Sequence, residues 1–285
     1  MMHYWLLFAL LSGIILGFFD IFKKMATQKL SVINVLSFYS LLSFLLLAYD
    51  YKNAFSIDFQ WFPIIVLKSV IIYFCWILGF VAFKYLPISL VSPLKTLTPL
   101  FTLIFGVLLL GESLSFLQVL GFAIILGAYY FIGKSGTHDL LAFLKNKYLY
   151  LMLLSSFLSA LSGLIDKVAL RHINAGQMQF WFMFLLTIFY TLTFFITSYR
   201  KQQRFAPGFH YTILLTSLAI VLSDRLYFMA VAMPQSQISV IMPIRFVSVF
   251  VSVILGGYIF KESHLRGKLI GTCNMLIGVI LIFLG

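Results

Sequence analysis

Charged side chains are scarce in this chain. Asp, Glu, Lys and Arg together make up 10% of its 285 residues, whereas hydrophobic residues make up 62%. Soluble domains carry about 25% charged residues, so this composition excludes a soluble globular domain. It predicts an integral membrane protein.

Acidic residues are the scarcest charged class. The chain has 8 of them against 20 Lys and Arg, which gives a net charge of +12. This excess does not indicate nucleic-acid binding, because the basic residues lie mostly between apolar stretches. We expect the lipid bilayer as a partner and no nucleic acid.

Residue patterns typical of metal sites and enzymes are also missing. The two cysteines, Cys75 and Cys273, lie inside apolar stretches at no metal-binding spacing. There is no H-E-x-x-H motif, nucleophile elbow or P-loop. We therefore expect no catalytic residues, metal or cofactor, and an intramembrane enzyme is disfavoured.

Ten apolar stretches, called spans 1 to 10, are long enough to cross a bilayer as helices. Short alternating segments, which would indicate a membrane β-barrel, are absent from the sequence. The fold class predicted is an all-α integral membrane protein with ten transmembrane helices. The spans are Tyr4–Phe22, Ile33–Tyr49, Phe62–Phe83, Ile88–Leu110, Ser115–Ile132, Tyr148–Leu170, Gln177–Thr197, Tyr211–Ala232, Ser236–Phe260 and Leu265–Leu284.

The two halves of the chain repeat each other. Ile88–Ser113 matches Ile238–Ser263 at an offset of 150 residues. In this match Pro93 falls on Pro243, Lys95 on Arg245 and Glu112 on Glu262. We divide the chain into a first repeat (1–133), a connecting loop (134–147) and a second repeat (148–285). Five spans per half make the second repeat inverted in the membrane, as in many secondary transporters.

The basic residues also predict the orientation. Loops after odd-numbered spans, with their flanks, hold 13 Lys and Arg, whereas loops after even-numbered spans hold two. Basic loops face the cytoplasm. We therefore expect the odd loops to be cytoplasmic and both termini to lie outside.

The two five-span halves, with the run PLKTLTPLFTLIFGVLLLGE and its second copy ending FKES, resemble the EamA-type branch of the drug/metabolite transporter superfamily. The resemblance covers essentially the whole chain. It implies a secondary transporter working by alternating access in the plasma membrane, the inner membrane of a bacterium, as a monomer or weak dimer. Relatives move amino acids, nucleotide sugars, sugar phosphates, vitamins and drugs, so the substrate stays open. Relatives usually place their termini in the cytoplasm, opposite to the orientation predicted here.

Lys95 and Arg245 are the main candidates for substrate binding. A charge inside a membrane span is costly, which makes it a functional hypothesis by default. Each follows a proline by two residues, and Ser92 shares a helix face with Lys95. Relatives with phosphorylated substrates use basic residues in spans 4 and 9, where these two lie. Either both cations bind an anion, or each pairs with a carboxylate and holds helices together.

Other polar residues inside the spans have competing interpretations. Asp224 either neutralises Arg245 or serves as a proton-coupling site. Asp20 has ion-pair spacing with Lys23 and Lys24, and Asp166 is expected to pair near Lys167 in the same way. Lys68 is expected to extend towards the membrane surface, with a contribution to the substrate cavity as the alternative. Tyr73, Trp76 and Tyr227 are candidates for stacking on a substrate, with plain packing as the alternative. Glu112 and Glu262 are each expected to cap the helix that follows.

The function predicted is transport of a small organic anion, phosphorylated metabolites included. Alternatives are an exporter of amino acids or amphipathic metabolites, and a flippase for a lipid-linked phosphate. A channel or a purely structural membrane protein is a further alternative, disfavoured by the matched cations of the repeat.

Overall fold

The computed structural model describes residues 4–95, 97–111, 114–136, 146–200, 209–262 and 265–284. Every regular element in these ranges is helical. Glu112, Ser113, Ser263 and most of the expected connecting loop lie outside them. The helices are α1 (Tyr4–Lys29), α2 (Val32–Leu47), α3 (Tyr51–Phe55), α4 (Phe62–Tyr85), α5 (Ile88–Leu94), α6 (Leu97–Leu110), α7 (Phe116–Gly136), α8 (Lys147–Ala169), α9 (Ala175–Arg200), α10 (Tyr211–Ala232), α11 (Ile238–Arg245), α12 (Val247–Val251), α13 (Gly257–Ile259) and α14 (Leu265–Leu284), with 3-10 turns at Ala48–Asp50 and Phe59–Trp61 and a π-helical turn at Ser252–Gly256.

Seven helical segments of the described chain are long and apolar enough to cross a membrane. They confirm the prediction of a helical, multi-pass membrane protein. The segments are Tyr4–Lys29, Val32–Phe55, Phe59–Tyr85, Lys147–Ala169, Ala175–Tyr199, Tyr211–Ala232 and Ile238–Ile259.

Side-chain caps fix where several helices begin. Ahead of α9, the side-chain Oδ1 of Asn174 accepts from the Gln177 backbone N–H at 2.9 Å, while the side-chain Oε1 of Gln177 accepts from the Asn174 backbone N–H at 3.0 Å. Ser115 and Gln118 make the same reciprocal pair at the start of α7. These caps satisfy N–H groups that have no partner inside the helix. A polar pair in a largely apolar chain therefore marks a helix start.

The most extensive helix contacts occur in equivalent pairs. Each contact between the two halves has a counterpart in which the roles of the halves are interchanged. Helix α1 packs on α10, and correspondingly α8 packs on α4. Helix α6 packs on α8, whereas α11 and α12 pack on α1. Two further contacts, α2 with α9 and α7 with α14, each join equivalent helices of the two halves. The sequence repeat is therefore also a repeat of packing.

Two buried lysines have equivalent bonds in the two halves. Lys24 Nζ donates to the backbone oxygens of Phe83 at 2.5 Å and Leu86 at 2.6 Å, just beyond α4. Lys167 Nζ donates to the backbone oxygen of Ser236 and to its hydroxyl at 2.7 Å, just beyond α10. Residues 86 and 236 are 150 apart, so the two bonds occupy the same place in the repeat. Lysine stabilises the carbonyl groups that end a helix.

Glu262 joins the two halves at one end of the molecule. Its carboxylate accepts from the backbone N–H groups of Ile88 at 2.6 Å and Ser89 at 3.2 Å, and from the Ser89 hydroxyl. It thus caps α5, a helix of the other half, whereas the sequence predicted a cap on the helix that follows Glu262. Its equivalent Glu112 lies outside the described residues.

A left-handed residue precedes each of these two glutamates. Gly111 has φ of +66° and Lys261 has φ of +50°. This backbone conformation is common at helix ends, where glycine adopts it without strain. Lysine at the equivalent position is strained, because its Cβ approaches the following carbonyl.

The helices of spans 4 and 9 are interrupted at the predicted cations. Helix α5 ends at Leu94 and α6 begins at Leu97, with Lys95 in the turn between them. Helix α11 ends at Arg245 and α12 begins at Val247. Proline has no backbone N–H, so Pro93 and Pro243 remove a helical hydrogen bond just before each interruption. A Cβ added to Gly13 of α1 would lie 2.8 Å from the Arg245 backbone oxygen, so only glycine permits this approach.

Candidate functional site

A cavity of about 150 Å³ lies between α1, α4, α6, α8, α10 and α11, next to both interruptions. Its wall combines aromatic rings, serine hydroxyls and charged groups. The lining includes four cations, two carboxylates, three aromatic rings and three serines, namely Lys23, Lys68, Lys95, Arg245, Asp166, Asp224, Trp76, Phe83, Tyr227, Ser155, Ser159 and Ser162.

Arg245 lies at the end of α11 and points into this cavity. Its Nη2 is 3.5 Å from Asp224 Oδ1 and donates to the Ser223 hydroxyl at 3.3 Å. The guanidinium carbon is 4.1 Å from the centre of the Tyr227 ring. Within the described residues its buried Nε has no hydrogen-bond partner. The group is thus held on one side and retains a free donor.

Lys95 shares a carboxylate with a second lysine. Lys95 Nζ lies 2.6 Å from Asp20 Oδ2, and Lys23 Nζ lies 2.7 Å from Asp20 Oδ1. The expected Asp20–Lys23 pair is therefore present, whereas Lys24 bonds to backbone oxygens instead. Asp20 is fully buried, and Lys95 is the most exposed cation of the cavity at 18%.

Lys68 forms a buried ion pair, and the expectation that it extends to the membrane surface is wrong. Its Nζ lies 2.5 Å from Asp166 Oδ1 and donates to the Ser162 hydroxyl at 3.1 Å. The Tyr227 hydroxyl donates to the other Asp166 oxygen at 3.1 Å. Asp166 therefore pairs across helices rather than beside Lys167, which bonds to Ser236.

The charges at the cavity do not balance. In the part of the chain that the structure describes, four cations meet three carboxylates there, which leaves one positive charge in excess. Each cation also lies within 6 Å of an aromatic ring centre, which stabilises a charge away from water. With all seven groups ionised, the described residues of this site carry a net charge of +1.

Of the other predicted ligands, two line the cavity and two do not. Trp76 and Tyr227 are part of its wall. The Tyr73 hydroxyl instead bonds to Thr193 at 2.7 Å, and its ring packs on Tyr190 between α4 and α9. Ser92 is fully buried and is not part of the wall. A substrate contact of Tyr73 or Ser92 therefore stays a prediction that the cavity lining does not support.

One face of α8 was missed by the sequence reasoning. Ser155, Ser159, Ser162 and Asp166 follow one another at intervals of three or four residues and all line the cavity. This spacing puts side chains on one face of a helix. A polar stripe in an otherwise apolar span is the signal that would have found them. The Ser155 hydroxyl donates to the Cys75 backbone oxygen at 2.9 Å, and the Ser162 hydroxyl accepts from Lys68 at 3.1 Å, so both are bonded within the protein.

Metal binding has no support in the described ranges, where no group of three or more His, Cys, Asp or Glu side chains could hold an ion.

Comparison with known proteins adds a family and a fold. Among solved structures, one described as "Crystal structure of protein" superposes with a TM-score of 0.67, covering 96% of each chain at 13% identity. At that identity the likeness shows the fold alone. No curated protein matched the chain. The model of the EamA-like transporter family matches twice, over residues 3–134 and 146–284. The chain therefore belongs to the EamA-like transporter family, membrane transporters of the drug/metabolite type.

Proposed function

We propose that the protein is a secondary transporter that moves a small organic anion across the membrane by alternating access. The observation that carries this proposal is the excess positive charge at the cavity between the two interrupted helices. A charge left without a counter-ion in apolar surroundings is costly, so an incoming anion is stabilised there. Lys95 supplies the most exposed ammonium of the cavity, at 18%, and Arg245 supplies a guanidinium in the cavity wall.

The proposal includes ten transmembrane helices in two inverted repeats, residues 1–133 and 148–285, joined by 134–147. The exchanged helix contacts and the equivalent bonds of Lys24 and Lys167 support this arrangement. Broken helices that meet at the centre of inverted repeats form the binding site of many secondary transporters. The membrane proposed is the plasma membrane, which is the inner membrane in a bacterium, with the protein acting as a monomer or weak dimer.

Asp224 is the proposed proton-coupling residue. Its carboxylate lies beside Arg245, the cation expected to hold the substrate. Substrate and Asp224 would then compete for one guanidinium, and a proton on Asp224 would release Arg245 to the substrate. Binding of a proton would therefore favour binding of the anion, and the two would cross the membrane in the same direction.

Binding measurements on purified protein test the anion assignment. Small carboxylates, sulfonates and phosphate esters would be compared with their uncharged amide or alcohol analogues by thermal stabilisation, since a ligand of the folded state raises its stability. A charge-assisted contact is worth about 1.5–3 kcal/mol. Lys95→Ala and Arg245→Ala should therefore each weaken binding of the anion by about ten- to a hundredfold.

Two outcomes would contradict this function. One is that no anion stabilises the protein more than its uncharged analogue. The other is that both alanine variants keep normal affinity while their melting temperatures fall, which would make the two cations structural. Tyr73→Phe is a suitable control, because that hydroxyl lies outside the cavity.

An amino-acid exporter is a second candidate, favoured by one observation. Asp166 and Asp224 line the same cavity as the cations, and their carboxylates could receive a substrate ammonium group. Phenylalanine and its deaminated analogue phenylpropionate separate the two candidates. Stronger stabilisation by phenylalanine would favour the exporter.

A further inference from the structure

We infer that the cavity selects organic anions with one negative charge over those with two, and that Asp20 and Lys23 set this preference without contacting the substrate. The inference rests on the proposed function, since it concerns the charge of the same site. It narrows the substrate class to carboxylates, sulfonates and phosphodiesters, as opposed to phosphate monoesters.

The preference follows from how the cations are paired. Lys68 has a carboxylate of its own in Asp166, and Arg245 has one in Asp224 as long as Asp224 carries no proton, which is the state that the preference describes. Asp20 alone serves two cations, Lys23 and Lys95, one on each oxygen. The single excess charge of the cavity therefore belongs to this cluster of three residues.

Lys95 is the member of the cluster that a substrate can reach. Its side chain is 18% exposed, against 6% for Lys23. Lys23 is enclosed by three rings, with its Nζ 3.5 Å from the centre of Phe83, 4.9 Å from Phe19 and 5.3 Å from Phe80. An anion bound to Lys95 would leave Asp20 paired with Lys23. Lys23 and Asp20 thus act as positioning residues that fix the charge around Lys95.

Size is matched as well as charge. An apolar protein cavity of about 150 Å³ holds one benzene molecule, so a cavity of about 150 Å³ suits a small ring with one acidic group. A second negative charge on such a ligand would have no counter-ion and would lie near Asp166 and Asp224. Charges in surroundings of low dielectric interact strongly, so the dianion is disfavoured.

Benzenesulfonate and phenylphosphonate are the probes for this test. They have nearly the same shape, and in a buffer near neutral pH the phosphonate carries on average more than one negative charge, whereas the sulfonate carries one. Wild-type protein should bind the sulfonate at least about tenfold more tightly, the factor given by one lost charge-assisted contact. Benzenesulfonamide, which is uncharged, reports on the ring pocket alone.

Three variants change the charge of the cluster in steps. Lys23→Met removes the excess charge and should weaken sulfonate binding about tenfold, with sulfonamide binding unchanged. Asp20→Asn adds a second excess charge and should shift the preference towards the phosphonate. The double variant Lys23→Met/Asp20→Asn restores one excess charge and should regain the wild-type preference.

If Asp20→Asn does not fold, Lys23→Met and the double variant still test the inference. In Lys23→Met, Asp20 keeps Lys95, and the double variant leaves no buried carboxylate unpaired. A matched control, Arg225→Met/Asp50→Asn, removes a balanced ion pair that does not line the cavity and should leave the preference unchanged.

The inference is overturned if wild-type protein binds neither probe or prefers the phosphonate, or if the double variant binds as weakly as Lys23→Met. Should anions still require Lys95 and Arg245 in those cases, the proposed function would stand while the charge rule would fall.

Discussion

Removing Lys68 should destabilise the protein far more than removing Lys95, although both are cations of one cavity. In Lys68→Met, Asp166 would keep only the Tyr227 hydroxyl at 3.1 Å, in a position where its side chain is 2% exposed. Breaking a buried pair by removing one partner costs about 3–5 kcal/mol, because the remaining charge has no counter-ion. We expect a loss of that size.

The corresponding Lys95→Met change leaves Asp20 bonded to Lys23 at 2.7 Å. Only one charge-assisted contact of a partly exposed lysine is lost, and we expect a cost of about 1–2 kcal/mol. Methionine preserves most of the apolar stem in both variants, so that packing changes little.

Reversible unfolding in mixed detergent micelles would measure both free energies of unfolding. The double variant Lys68→Met/Asp166→Asn is the control. It should recover most of the stability, because neither partner is then a buried charge. Equal losses in Lys68→Met and Lys95→Met would refute the pairing described here, as would a double variant no more stable than Lys68→Met.

Three further predictions concern strain, orientation and coupling. Lys261→Gly should raise the free energy of unfolding by about 1 kcal/mol, since the left-handed backbone there strains lysine but not glycine. Gly111→Ala should lower the free energy of unfolding for the same reason. If thermal denaturation shows no gain for Lys261→Gly, the backbone at that position is not strained. In a variant without native cysteines, an impermeant thiol reagent outside the cell should label Lys52→Cys but not Lys147→Cys, and the reverse pattern would show that the charge count misassigned the membrane orientation. Asp224→Asn should remove the dependence of transport on a pH gradient while substrate exchange continues, and an unchanged gradient dependence in vesicles would exclude Asp224 from coupling.

The central pair of cations was found from the sequence because the repeat marks it. Lys95 and Arg245 follow prolines at the same offset, and both line the cavity. Lys23 and Lys68 gave no such signal, since Lys23 follows the predicted end of span 1 and Lys68 lies near the start of span 3, where a lysine can reach the membrane surface. Tyr73 and Trp76 are three residues apart on α4, yet only Trp76 reaches the cavity.

Sequence alone determined the membrane class, the repeated halves and the family, because these depend on composition and on order along the chain. The tertiary structure decided which carboxylate each cation meets. Adjacent residues on a helix point about 100° apart, so Asp166 and Lys167 take different partners, Lys68 and Ser236, which lie 98 and 69 residues away along the chain. A charge is paired by whichever helix packs against it, and helix packing is set by the shapes of many side chains together. For that reason the excess charge on the Asp20 cluster, on which the proposed selectivity depends, became visible only in the folded protein.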